Sequence, residues 1–297
     1  LPEVSTQQDR GRVSGWGVGI GYVGSIIAVG TGSVLLDAYG YPAVFRTIAV
    51  LFLLFATPAF LFIDERPRPK PVGRGPSPAR SLHQLVATWK RAATYGGIVR
   101  FLIGRFLYTD AINTLNGGFL AIFVVQELDF TDDQVQLLLG IAIVAAIAGG
   151  IAAGRLTDRY GPRRVLFWAL YTWIVAMVGG IAAAATGQGA LAWAIGPFGG
   201  LALGATWESD RVFMARISPP RDLGELYGLY ATVGRFATVL GPLIWGVIVN
   251  RLNLPRTVAM AALVGFIVAG RLVLGGVSDR IRVWSPEDVG APAPESG

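Results

Sequence analysis

No cysteine occurs anywhere in this chain, histidine occurs once, and only 15% of the 297 residues are Asp, Glu, Lys or Arg. Without cysteine there can be no disulfide and no thiolate metal site. A single histidine, His83, excludes a His-Glu-x-x-His zinc site, and neither a Walker-type glycine loop nor a nucleophile elbow is present. Enzymatic and ATP-driven functions, cofactors and metals are therefore not expected. The shortage of charge is as informative, because soluble domains carry about 25% charged residues. An apolar share of 53% excludes a disordered chain, and the forty glycines follow no Gly-X-Y period. A membrane protein is the reading that remains.

A helix crossing a bilayer needs about 20 largely apolar residues. Eight stretches qualify: 13–36, 42–63, 98–125, 134–154, 165–185, 190–214, 226–249 and 257–277. If the long segment 64–97 is cytoplasmic, seventeen of the 25 Lys and Arg residues fall in inner loops and only Arg251 and Arg256 fall outside. That bias predicts the orientation by the positive-inside rule, with the linker and the C-terminus cytoplasmic. It also explains the sequence pI of about 9.9 without any nucleic acid. Within the linker, Leu82, Leu85, Val86 and Trp89 recur at helical spacing, which predicts a short amphipathic helix on the inner leaflet. His83 lies there and reads as a solvated surface residue. The Pro- and Glu-containing tail after Asp279 is expected to be disordered.

An internal repeat divides the chain. At a constant offset of 213, Ser5 matches Ser218, Asp9 matches Asp222, Gly11 matches Gly224, Gly15 matches Gly228 and Gly21 matches Gly234. The later copy follows four spans counted from Ile98, and the earlier copy follows none. Equivalent halves would therefore place four further helices ahead of Leu1. The expected organisation is an all-α polytopic membrane protein with eight of twelve helices: 1–63 closing a first half, 64–97 a cytoplasmic linker, 98–277 a six-helix second half, and 278–297 a tail.

Between the fourth and fifth spans stands Gly154-Arg-Leu-Thr-Asp-Arg-Tyr-Gly-Pro-Arg-Arg164. This resembles the inner-loop signature of the major facilitator superfamily. A narrower resemblance is carried by Arg105-Phe-Leu-Tyr-Thr-Asp-Ala-Ile-Asn-Thr114, by 209–216, by 228–235 through Gly241-Pro242, and by the opening Leu1-Pro-Glu-Val4 with 10–15. These segments look like the branch of vacuolar amino-acid effluxers and their bacterial relatives. The resemblance implies a major facilitator fold and a secondary carrier in a bacterial plasma membrane, monomeric when complete. It would export amino acids or similar small solutes by alternating access, driven by an ion or proton gradient. A non-transporting receptor or scaffold on the same fold is the alternative. The resemblance also implies that Gly154, Asp158, Arg159, Gly161, Arg163 and Arg164 form a gating loop. Gly154 allows a close helix approach, Asp158 accepts from the amides of a neighbouring helix start, and the arginines pair with acids across the halves.

Ionisable residues inside spans are costly and usually functional. On the third span Arg105, Asn116, Thr109, Asn113 and Asp110 fall at roughly 0°, 20°, 40°, 80° and 140° on a helical wheel, a polar face that must line a cavity or meet polar partners. On the sixth span Glu208 and Arg211 are spaced to pair, with Asp210 between them, either lining the cavity or closing its inner end. Arg235 on the seventh is expected to pair with Asp110 or Glu208. Asp110 then reads either as a proton carrier or substrate-ammonium contact, or as a fixed partner of Arg235.

Overall fold

The computed structural model describes residues 5–6, 8–62, 78–280 and 284, with side chains at 33, 37, 59, 62 and 78–84 left aside. The stretch 63–77, nearly all of the tail and the side chain of His83 therefore lie outside the described residues. Among the described residues every regular element is a helix. Eight segments are long and apolar enough to cross a membrane: Arg10–Leu36, Ala38–Pro58, Ile98–Leu128, Asp132–Tyr160, Pro162–Thr186, Gly189–Ile217, Leu223–Arg251 and Arg256–Leu274. The chain is an integral membrane protein.

Helix α1 (Arg10–Phe62) contains the first two spans, broken where Gly40 adopts φ 71° and ψ 178°, a conformation that residues with a Cβ rarely take. Helix α2 (Pro78–Thr94) occupies the place of the expected amphipathic helix. Its Arg91 guanidinium reaches Asp222 at 3.6 Å and Glu225 at 3.1 Å, while Leu85, Val86 and Trp89 stay exposed. The third span is α3 (Ile98–Thr114) and α4 (Leu120–Leu128), joined by a π turn at Leu115–Phe119. Helices α5 (Asp132–Tyr160) and α6 (Pro162–Thr186) form the next two, and α5 opens with a reciprocal cap between Thr131 and Gln134. A short α7 (Gly189–Ala192) leads into α8 (Ile195–Ile217). The seventh span is interrupted: α9 (Leu223–Phe236) stops, and α10 (Leu240–Gly246) restarts before a π turn at Val247–Arg251. Helix α11 (Arg256–Leu274) closes the bundle.

The repeat persists in the backbone. Helix α1 begins at Arg10 and α9 at Leu223, again 213 residues apart. The left-handed Gly40 falls on Asn253, whose φ is 51°, and Pro42 falls on Pro255, which precedes α11. The first two spans therefore correspond to the seventh and eighth without a gap.

Helices α5 and α8 make the most extensive contact, and α1 leans on both through its first span. Small residues make this possible: Gly200 and Gly204 of α8 lie against the carbonyls of Ala142 and Ala146 on α5. The buried core runs through α3, α6, α8 and α11, with Phe101 and Phe213 packed edge to face at 5.0 Å. The second span, by contrast, buries none of its apolar window within the chain; Phe45, Phe52 and Phe55 stand exposed.

Candidate functional site

Residues two apart on a helix point about 200° away from each other. On α8 this sends Glu208 and Asp210 to opposite sides, and each is fully buried. Asp210 faces α3 and α9. Arg105 Nε donates to its Oδ2 at 2.9 Å, Tyr230 Oη donates to the same oxygen at 2.9 Å, and Tyr108 Oη donates to Oδ1 at 2.8 Å. The guanidinium also donates to the Tyr230 carbonyl at 3.2 Å and lies 3.7 Å above the Tyr230 ring. Gly234 completes the nest, since a Cβ there would sit 2.5 Å from Arg105 Nη1. The third, sixth and seventh spans are thus tied by one desolvated ion pair whose acceptors are filled.

Glu208 faces α1 and α5, and its surroundings are spare. Thr157 Oγ1 donates to Oε2 at 2.7 Å, while Oε1 is buried without a partner. Ser14 of α1 donates to the Glu208 backbone carbonyl at 3.2 Å. The pairing expected with Arg211 does not form, because Arg211 Nε donates to the carbonyl of Trp207, one turn back on its own helix, at 2.9 Å.

Next to Glu208, α5 ends on the loop motif. Asp158 accepts from the amides of Gly11 at 2.8 Å and Arg12 at 3.1 Å, and from Arg12 Nε at 3.3 Å. Its carboxylate therefore sits on the first turn of α1, where unpaired amides and the helix dipole favour an anion. The two backbones meet at Gly154, where a Cβ would come 2.6 Å from the Gly11 carbonyl. The motif's arginines behave otherwise than expected. Arg163 Nη2 donates to the Gly275 carbonyl at 2.5 Å and its amide donates to Asp279, both in the stretch that follows α11. Arg159 lies over its neighbour Tyr160, and Arg164 is exposed. Gly161, at φ 87°, turns the chain into α6 beside Asp279. The ion pair between α1 and α5 runs from Arg12 to Asp158, so the motif supplies the acid and not the arginine that was expected to reach across.

The polar face of α3 packs against the interruption in the seventh span instead of open space. Asp110 Oδ2 accepts from the Gly241 amide at the start of α10, and Asn113 Nδ2 donates at 2.8 Å to the Ala237 carbonyl at the end of α9. A broken helix leaves such amides and carbonyls without partners, and in a bilayer only protein groups can satisfy them. Thr109 is buried with its hydroxyl unpartnered, as is Asp110 Oδ1. Asn116 leaves this face and is exposed, because the π turn adds a residue and shifts the helical phase. Arg235 pairs with neither Asp110 nor Glu208. Gly234 is the residue that faces Arg105, so the next position points about 100° away, and Arg235 is exposed.

A cleft of about 400 Å³ opens between α1, α8 and α9, lined by Val18, Tyr22, Ser25, Trp207, Arg211 and Tyr230. It offers aromatic faces, hydroxyls and one guanidinium within a mainly apolar lining. No group of three or more acidic or histidine side chains converges to hold a metal among the described residues. The sequence reading missed Tyr108 and Tyr230, which with Arg105 complete the Asp210 nest. It also missed Thr157 and Ser14 at Glu208. Tyr108 lies three residues from Arg105, so it was the one partner that helical spacing could have revealed.

Residues 2–280 match the family model described as vacuole effluxer Atg22 like. Autophagy-related protein 22-1 of Penicillium rubens is 28% identical over 266 residues, covering 81% of this chain and 44% of that protein. The uncharacterized MFS-type transporter YxiO of Bacillus subtilis is 23% identical over 288 residues, covering 94% of this chain and 66% of its own length. An uncharacterized protein of Aquifex aeolicus is 24% identical over 247 residues, with 80% and 57% covered. The chain spans about half the length of the fungal relatives it matches.

Proposed function

Because the chain belongs to the Atg22-like vacuole effluxer family and has the major facilitator fold, we propose that it forms part of a secondary active carrier. The carrier moves a small solute, amino acids being the first class to test, by alternating access. The contact that supports this reading most directly is the one between Asp158 and the first turn of α1. It joins the end of one half to the other through three hydrogen bonds and a glycine crossing, a contact that rocking of the halves would break as a unit. In this reading the arginine-rich end is cytoplasmic, Gly154, Asp158, Arg159, Gly161, Arg163 and Arg164 shape the gating loop, and the contact holds the inner side shut. The domain divisions at 63, 97 and 277 follow the same plan.

The solute path runs along the cleft beside Trp207 and Arg211. Arg105 with Asp210, and Thr109, Asp110 and Asn113, hold the spans that wall it, while Asn116 and Arg235 lie outside its lining. Asp110 acts in this scheme as the anchor of α10, and a gradient of protons or another ion drives the cycle. The test is flux of a radiolabelled amino-acid mixture into vesicles holding the complete protein, with an imposed pH gradient. Gradient-dependent flux that Asp158→Asn reduces by tenfold or more is expected. Absence of flux for every solute class offered would favour a receptor or scaffold.

A further inference from the structure

We propose that Glu208 is a proton-binding site built jointly by the two halves, filled while α1 is docked on α5 and α8 and emptied when α1 leaves. The inference rests on the carrier reading and names the group that couples it to protons. A carboxylate without water or a cation is among the most costly groups to place inside a bilayer protein. Glu208 is fully buried and no cation pairs with it; its Oε2 has one hydroxyl donor, and its Oε1 has no donor from the protein.

The charged groups around it do not compensate. From α5 comes Asp158, another acid, which opposes a second negative charge, while Thr157 supplies only a hydroxyl. On α8 the nearest cation is Arg211, whose Nε is held by the Trp207 carbonyl. From α1 come the Ser14 hydroxyl, directed at the Glu208 carbonyl, and Arg12, which is held by Asp158. Arg10 of α1 has its Nε buried without a partner and forms no ion pair with Glu208. One proton bound at Oε1 removes the charge and leaves Oε2 to accept from Thr157. When α1 departs, water reaches the carboxyl and the proton can leave.

The other buried acids lack this combination. Asp210 has a guanidinium and two phenols. Asp110 also has one oxygen without a partner, but its other oxygen lies on the amides that open α10, which favour negative charge.

Infrared spectroscopy of the full chain in lipid reads the protonated carboxyl directly. The expected result is a carboxylic C=O band that shifts in deuterium oxide, fades as pH rises, vanishes in Glu208→Gln and survives in Asp110→Asn. A band that persists unchanged in Glu208→Gln overturns the proposal. Should that variant fail to fold, Thr157→Val takes its place: loss of the hydroxyl donor must move the band, and an unmoved band overturns the assignment.

The chain has no cysteine, so Val18→Cys, at the α1–α5 contact beside Gly150, gives a clean second readout. Thiol labelling, divided at each pH by the rate of a free model thiol to remove the thiolate's own pH dependence, should speed up as pH rises, by at most about tenfold per pH unit for one proton. Adding Glu208→Gln should leave this normalised labelling slow at every pH. Normalised labelling that keeps its pH dependence in the double variant overturns the link to the gate. Neither readout involves solute flux, so a failed flux experiment would count against the carrier reading alone.

Discussion

Asp210 and Glu208 lie two residues apart on α8, both fully buried, yet Asp210 receives a guanidinium and two phenolic hydroxyls while Glu208 receives a single threonine hydroxyl. The difference follows the elements they face. Asp210 looks towards α3 and α9, which the proposed scheme assigns to the same half as α8. Glu208 looks towards α5 and α1, and the scheme assigns α1 to the other half. A permanent interface can satisfy a charge with fixed partners, whereas an interface that opens needs a group that is stable both covered and wetted. A carboxyl that gains and loses a proton meets that need.

Breaking the saturated side should have the largest effect. Asp210→Leu leaves Arg105 buried and unpaired, and removing one partner of a buried pair costs about 3–5 kcal/mol. A large drop in the thermal unfolding midpoint in detergent is expected, with most of it recovered when Arg105→Met is added. A drop that the double variant does not recover would mean that the tyrosines, and not the ion pair, hold the three spans. A gentler strain comes from Gly234→Ala. The new methyl would displace the Arg105 guanidinium, at about 1–3 kcal/mol for an overpacked core. The unfolding midpoint should fall less than for Asp210→Leu, and an unchanged midpoint would show that Arg105 has slack.

The seventh span supplies the intermediate case. Asp110→Leu leaves the Gly241 amide without its acceptor, which costs about 1–3 kcal/mol for a buried donor. Asp110→Asn keeps an acceptor there and should cost less than Asp110→Leu. Equal losses in the two unfolding midpoints would mean that the carboxylate charge, and not the hydrogen bond, holds α10.

These contrasts also mark what could be read from the residues alone. The spans, the break near Gly40 and the offset of 213 are local or periodic features, and hydropathy with turn chemistry exposes them. Asp158 was readable as an acceptor for a helix start because the motif fixes its place at the end of a helix. The partner of Asp210 was not readable. Arg105 lies 105 positions away in sequence, and Arg235 was an equally charged competitor. What separates them is a phase of about 100° between Arg235 and Gly234, set by where α9 stops. The interruption after Phe236 and the π turn after Thr114 carry no strong local signal. Asn116, the one residue assigned to a face beyond the second of these breaks, left that face.

The smallest expected change in stability is the most discriminating. Glu208→Gln keeps the shape of the side chain and an oxygen to accept from Thr157, so at neutral pH the unfolding midpoint should shift by less than the equivalent of about 1 kcal/mol. Asp210→Asn, the same chemical change two residues on, removes the charge that Arg105 requires and should cost several-fold more. If the two isosteric variants destabilise equally, Glu208 is a charged partner like Asp210, and α8 has one kind of buried acid instead of two. If Glu208→Gln is neutral in stability yet abolishes the pH dependence of the α1 contact, the proton itself is what distinguishes the moving interface from the fixed one.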